Sequence, residues 1–100
     1  MNTINMKILN INGEVLLAAA DSELINRNLR EGKLHLEVKQ DFYGEMKVSE
    51  ETLISSLGIC TIANLVGERV VNAAIEANYI DRENVIKIEG VPHAQLAKIV

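Results

Sequence analysis

The sequence predicts an α+β domain: a mostly antiparallel sheet with one long and one or two short helices packed on one face. Three observations carry this expectation. Met6–Ile11 alternates apolar and polar residues up to Asn12-Gly13, the strongest short hairpin signal, because both turn residues tolerate positive φ. Ile59, Ile62, Ala63, Val66, Val70, Ala73, Ala74 and Ala77 recur at three- and four-residue spacing, the mark of a buried helical stripe. Strand-like runs flank that helical middle on both sides, which favours helices laid on a largely antiparallel sheet. With 100 residues, the chain is read as a single domain over residues 1–100.

In chain order, Met6–Ile11 is a half-buried strand and Glu14–Ala20 its antiparallel partner. The run Val15-Leu16-Leu17 and Ala18–Ala20 predicts burial on both faces. Asp21 or Ser22 is placed to cap a short helix over Glu23–Ile25, with Asn26 as a left-handed stop. Gly32 releases the chain into a strand over Lys33–Lys39, where Leu34, Leu36 and Val38 share a face. Asp41–Gly44 reads as a turn and Glu45–Val48 as a short strand. Ser49, followed by Glu50 and Glu51, starts a helix with acids at the positive end of its dipole. Gly58 interrupts or ends it, and the striped long helix follows up to a cap at Asn78. Asp81–Asn84 is a turn and Val85–Glu89 a strand. Gly90–Gln95 reads as a loop, since Pro92 biases Val91 away from helix, and Leu96–Val100 as a final strand.

Composition narrows the function. Net charge is −4 and the pI about 5.1, and the ten Lys and Arg never stand adjacent. Such a chain lacks the phosphate-neutralising term behind nucleic-acid affinity, so nucleic acid is an unlikely partner. Cys60 is the only cysteine, which precludes an internal disulfide and fits a reducing compartment. Residues 1–6 carry no basic segment leading into an apolar run, and no stretch approaches a membrane helix. A cytoplasmic protein without membrane attachment is expected. Two His, one Cys and scattered carboxylates give no zinc spacing, and no phosphate-binding glycine loop of the P-loop type occurs. No metal and no cofactor are expected.

Gly90-Val91-Pro92-His93-Ala94-Gln95 is less generic. Taken with Ile62-Ala63-Asn64-Leu65-Val66-Gly67-Glu68 and Phe42-Tyr43-Gly44, it resembles the archaeal domain-of-unknown-function family 424. The run Gly13-Glu14-Val15 through Ala19-Ala20-Asp21, with Glu31-Gly32 beyond it, is similar to that family too. The resemblance spans nearly the whole chain. It implies a short, stand-alone cytosolic protein with no established activity, and carries over no catalytic residue.

The candidate binding residues come from the same segments. His93 and Gln95 stand two apart beside Pro92, positions that project to one side of an extended chain. They could serve a small polar ligand, with His93 as a base, or His93 could simply tie its loop to the sheet. On a helix over 59–77, Thr61, Asn64, Glu68 and Asn72 fall within about 80° of one another, beside Gly67. That stripe is either a cleft wall or a solvated face, with Gly67 serving close approach or helix packing. Phe42 and Tyr43 could stack on a ring, or one could anchor the loop while the other stays exposed.

Two functions follow. The first is an interaction module acting with a larger protein partner, with translation suggested by analogy alone. The second is a small-ligand binder or enzyme using Asn64, Gly67, Glu68, His93 and Gln95, with Phe42 or Tyr43 at the rim. Whether the protein is an enzyme, its ligand and its oligomeric state stay open at the level of sequence.

Overall fold

A computed structural model describes residues 2–99. Ile4–Ile11 (β1) and Glu14–Asp21 (β2) form the expected hairpin, joined by Asn12 at φ 50° and Gly13 at φ 84°. Paired positive angles of this kind match the right-handed twist of the strands they connect. Ser22–Leu24 is a single 3-10 turn, and Asn26 at φ 72° reverses the chain, as its residue type allows.

Asn28–Glu31 (β3) and Leu34–Glu37 (β4) pair as a separate two-stranded ribbon. Only the second of these was legible, because Asn28-Leu29-Arg30-Glu31 holds one apolar residue and no alternation. Gln40–Tyr43 is one helical turn (α1) and Met46–Val48 a short strand (β5). Ser49 caps Glu50–Leu57 (α2), its Oγ accepting from the Thr52 N–H at 3.2 Å. Gly58 ends that helix, as expected.

The long helix over Ile59–Ala77 is not formed. Ile59 is 70% exposed; Ile62–Val66 is a strand (β6), and the helix is confined to Glu68–Glu76 (α3). Ile62, Ala63, Leu65 and Val66 put apolar residues on both faces of β6, interrupted only by Asn64, because β6 lies between two neighbouring strands with both faces covered in part. Such a pattern matches helical spacing by accident, and periodicity alone cannot separate the two.

Gly90–Gln95 is likewise corrected. Ile86–Ile88 (β7) turns through Glu89 (φ 53°) and Gly90 (φ 78°) into Val91–Ala97 (β8), which therefore contains His93 and Gln95. Pro92 is tolerated there because β6 ends at Val66, opposite His93, so the missing N–H faces no strand. Its carbonyl accepts from the Gly67 N–H at 2.9 Å. The expected final strand over Leu96–Val100 is only the end of β8, which stops at Ala97; Val100 lies outside the described residues.

The α+β class holds. The six-stranded sheet runs β5-β1-β2-β6-β8-β7; β2 and β6 are parallel, and every other neighbouring pair is antiparallel. Successive residues of β2 serve opposite faces. Leu17 and Ala19 join Ala63, Leu65 and Ala94 beneath α2 and α3, where Leu53, Leu57, Val70 and Ala74 are buried. Ala18 and Ala20 join Val66 and Ile88 on the other face, under Leu24 of the 3-10 turn, Leu29 of the ribbon, Val38 just beyond it and Tyr43 of α1. That second cover reaches only one end of the sheet.

The hairpin gives a direct test. A Cβ at Gly13 would meet no atom within 4 Å, so Gly13→Val charges the fold for backbone strain alone. We expect a loss of about 1 kcal/mol or more, read as a lower urea midpoint at unchanged slope. An unchanged midpoint contradicts the turn assignment.

Candidate functional site

The second face of the sheet gathers most of the candidate residues. Asn64 on β6 stands opposite Gln95 on β8, and Gln95 Nε2 donates to Asn64 Oδ1 at 2.8 Å. His93 pairs with Val66 and projects from this same face, diagonal to Asn64 at roughly 7–8 Å between backbones. Its Nδ1 donates to the Leu65 carbonyl at 2.9 Å, which ties the imidazole to the neighbouring strand. Two residues therefore share a hydrogen bond on this face, and the third is held beside them.

Phe42 and Tyr43 divide their roles. Tyr43 is 2% exposed, and burial pushes its phenol up to about 12. Phe42 is 50% exposed and meets Tyr43 edge-on, with ring centroids 4.9 Å apart. With Leu9, Leu16, Ile62 and Asn64 it lines a hollow of about 170 Å³ on the uncovered part of the face. Leu9 and Ile11 are 44% and 47% exposed there. These aliphatic positions were not expected as site residues. Their signal was in β1, where Ile8, Leu9 and Ile11 put apolar groups on both faces of a strand that needs only one.

Gly67 and Glu68 belong elsewhere. They lie at the junction of β6 and α3, in a separate cleft of about 310 Å³ that includes Asp21, Arg69 and Glu89. Asn72 and Glu68 share a further hollow of about 250 Å³ between α3 and the segment Arg82–Lys87, with Pro92 of β8 also on its wall. The structure thus separates Gly67 and Glu68 from the face carrying Asn64, His93 and Gln95, because the helix that was to join them begins only at Glu68.

The junction is organised by Asp21, which does not cap the Ser22–Leu24 turn with its side chain. Its Oδ2 accepts from the Arg69 N–H and its Oδ1 from the Val70 N–H, each at 3.1 Å. The carboxylate of β2 thus closes the first turn of α3, where unpaired N–H groups and the helix dipole favour an anion. Arg69 Nη1 stands 3.5 Å from Asp21 Oδ2 and donates to Glu23 Oε1 at 2.8 Å. Gly67, at φ 109°, makes the approach possible: a Cβ there would lie 2.6 Å from Asp21 Oδ1. Burial raises the Asp21 carboxyl above its usual value, outweighing the two N–H donors and Arg69. Glu23 is lowered by its hydrogen bond from Arg69. Asp21 was missed as a structural centre, although a lone acid closing the apolar run Val15–Ala20 was a visible signal.

Among the described residues no group of three potential metal ligands converges. Cys60 is buried, its thiol pushed up by that burial, and its Sγ donates to the Leu57 carbonyl at 3.4 Å.

Fold and site together define a small α+β protein with a mixed six-stranded sheet, one face of which is only half covered. The chain belongs to the family described as "Protein of unknown function (DUF424)", matched over residues 9–99. It is similar in fold to the crystal structure of an uncharacterized conserved protein from Methanopyrus kandleri. That match has a TM-score of 0.76 at 18% identity and covers 97% of this chain and 95% of the other. No curated protein matches the sequence. No helix is long and apolar enough to cross a membrane.

The buried carboxylate sets a pH dependence. Because the folded-state pKa of Asp21 is raised, its titration contributes most stability below the usual carboxylate value, and that contribution is lost as pH rises through the folded value. Glu23, lowered, contributes in the opposite sense and is common to both proteins compared. Wild type should therefore gain on Asp21→Asn as urea melts are moved from neutral to acid pH. A difference that stays flat or shrinks on acidification contradicts the desolvated carboxylate.

Proposed function

We propose that the protein is an interaction module that docks a segment of a partner protein on the uncovered half of its second sheet face. One observation carries this reading: the cover formed by α1 and the ribbon stops short. Leu9, Leu16, Ile62 and the Phe42 ring are left around one hollow, with Ile11 exposed further along β1. The lining fits an aliphatic side chain inserted beside Phe42. The Asn64–Gln95 amide pair at the border retains an N–H and a carbonyl for the backbone of the incoming segment. Anchors of this kind, an apolar insertion rimmed by polar groups, dominate protein–protein recognition.

A small-ligand or catalytic reading has less support. His93 is engaged with the Leu65 carbonyl, and both Asp21 oxygens are engaged by backbone N–H groups. Gly67 and Glu68 line a cleft apart from Asn64, His93 and Gln95. The acidic net charge argues against nucleic acid as the occupant of this face. A link to translation rests on analogy and forms no part of the proposal.

The test uses a partner recovered with the tagged protein and then purified, so that direct binding is measured. Phe42→Ala should leave thermal stability near wild type, since the ring is half exposed, and weaken binding about tenfold or more. Ile62→Lys should abolish binding. A partner whose affinity survives both changes, or whose footprint maps to α2 and α3, overturns the assignment.

A further inference from the structure

The outer edge of β1 is only partly occupied. β5 pairs with Ile4, Asn5 and Met6 and stops, while β1 continues to Ile11. The two-residue turn closes the hairpin at Ile11 and Glu14, so hydrogen-bonded pairs with β2 fall at residues 11, 9, 7 and 5. The Val15 carbonyl confirms this phase, since it points away from β1 to accept from the Thr61 N–H at 2.8 Å. Backbone groups of residues 4, 6, 8 and 10 therefore face the outer edge. Those of Ile4 and Met6 meet Val48 and Met46. Those of Ile8 and Asn10 find no partner among the described residues.

Such an edge is a template for another strand, and proteins normally protect it with proline, inward charge or a covering loop. Here the segment Lys7-Ile8-Leu9-Asn10-Ile11 has no proline and one charge. Ile8 is exposed on the helix side and Leu9 and Ile11 on the other. We infer that this edge pairs with the same edge of a second copy, antiparallel across a two-fold axis at Leu9. The chain thereby forms a dimer with one continuous sheet.

Self-complementarity selects a second copy over a foreign strand. The axis sets Ile8 against Asn10 of the second copy, and the reverse, which satisfies all four outward backbone groups. It stacks Leu9 on its own equivalent. It also sets Lys7 beside Ile11 of the second copy, whose neighbour across the hairpin is Glu14. Lys7 and Glu14 lie on the same face, so each lysine is brought toward an acid of the other chain. A hollow of about 500 Å³ beside Lys7 and Ile8 borders the edge of β1 beyond its last pairing with β5, at Met46. The ladder is short, so the dimer is expected to be concentration-dependent rather than permanent.

Sedimentation equilibrium from micromolar to millimolar chain tests this. The weight-average mass should rise from 11.0 kDa toward twice that value. Asn10→Pro removes an N–H that makes no bond within the monomer, as an edge position tolerates. It should keep the wild-type melting temperature and stay monomeric. Should proline unfold the chain, Ile8→Lys carries the test by placing like charges against the axis. A wild type that remains monomeric throughout overturns the inference, as does a dimer insensitive to the soluble edge variants. Phe42→Ala, which tests the docking face, should leave the dimer intact, so the two assignments fail separately.

Discussion

The placement of α3 depends on one carboxylate. Asp21 ends β2 and its two oxygens take the first free N–H groups of α3, nearly fifty residues later in the chain. An anion at that position satisfies donors that would otherwise be stranded in a buried corner, where each unpaired group costs on the order of 1–3 kcal/mol. The approach is close enough that only glycine fits opposite, at Gly67. Fixing the start of α3 against the end of β2 sets the direction in which the helix crosses β2, β6 and β8. The larger core beneath it follows from that direction. The desolvation of Asp21 is the cost of this geometry, and it is visible in the raised carboxyl.

The same strand end holds a second buried polar group. Asn5 donates to the Gly44 carbonyl at 2.9 Å and accepts from Ser22 Oγ at 2.6 Å. It thereby ties β1 to the chain leaving α1 and to the turn after β2. Buried amides are stable only when their bonds are made, and this one joins three segments on the face that α1 and the ribbon cover. The covered end of that face is thus held by specific polar bonds, while its other end carries aliphatic side chains and no cover. This asymmetry supports a docking role for the open half.

Local punctuation was legible in the sequence; the partners of long-range contacts were not. Asn12-Gly13, Asn26, Ser49, Gly58 and Asn78 act where their residue types place them, because turn and cap preferences are settled within a few residues. The segment 59–77 misleads for a physical reason. A strand carrying apolar residues on both faces lacks clean alternation, and Ile62, Ala63 and Val66 happened to extend the true stripe of Val70, Ala73 and Ala74 backward. Gly67, read as a helical residue, was the break. In the candidate site, the nearness of Asn64 to Gln95 was anticipated, but through a helix and a loop rather than two paired strands. Exposure of Phe42 and burial of Tyr43 could not be read from adjacent aromatics, since the decision rests with the ribbon that packs over one of them.

The central place of β6 has a consequence for how the chain acquires its structure. Leu16 pairs with Ile62 and Ala20 with Val66, forty-six positions apart in sequence, and in parallel. The β1–β2 hairpin needs only local closure and forms on a microsecond timescale, whereas a pairing across so wide a span waits on a large loss of chain entropy. Until β6 arrives, Leu17 and the three alanines of β2 stand at an open margin, and β8 lacks its inner neighbour. Contact order therefore predicts that the pairing of β6 with β2 forms later than the β1–β2 hairpin. A chain still missing β6 leaves that apolar margin of β2 unpaired, the kind of edge that favours association.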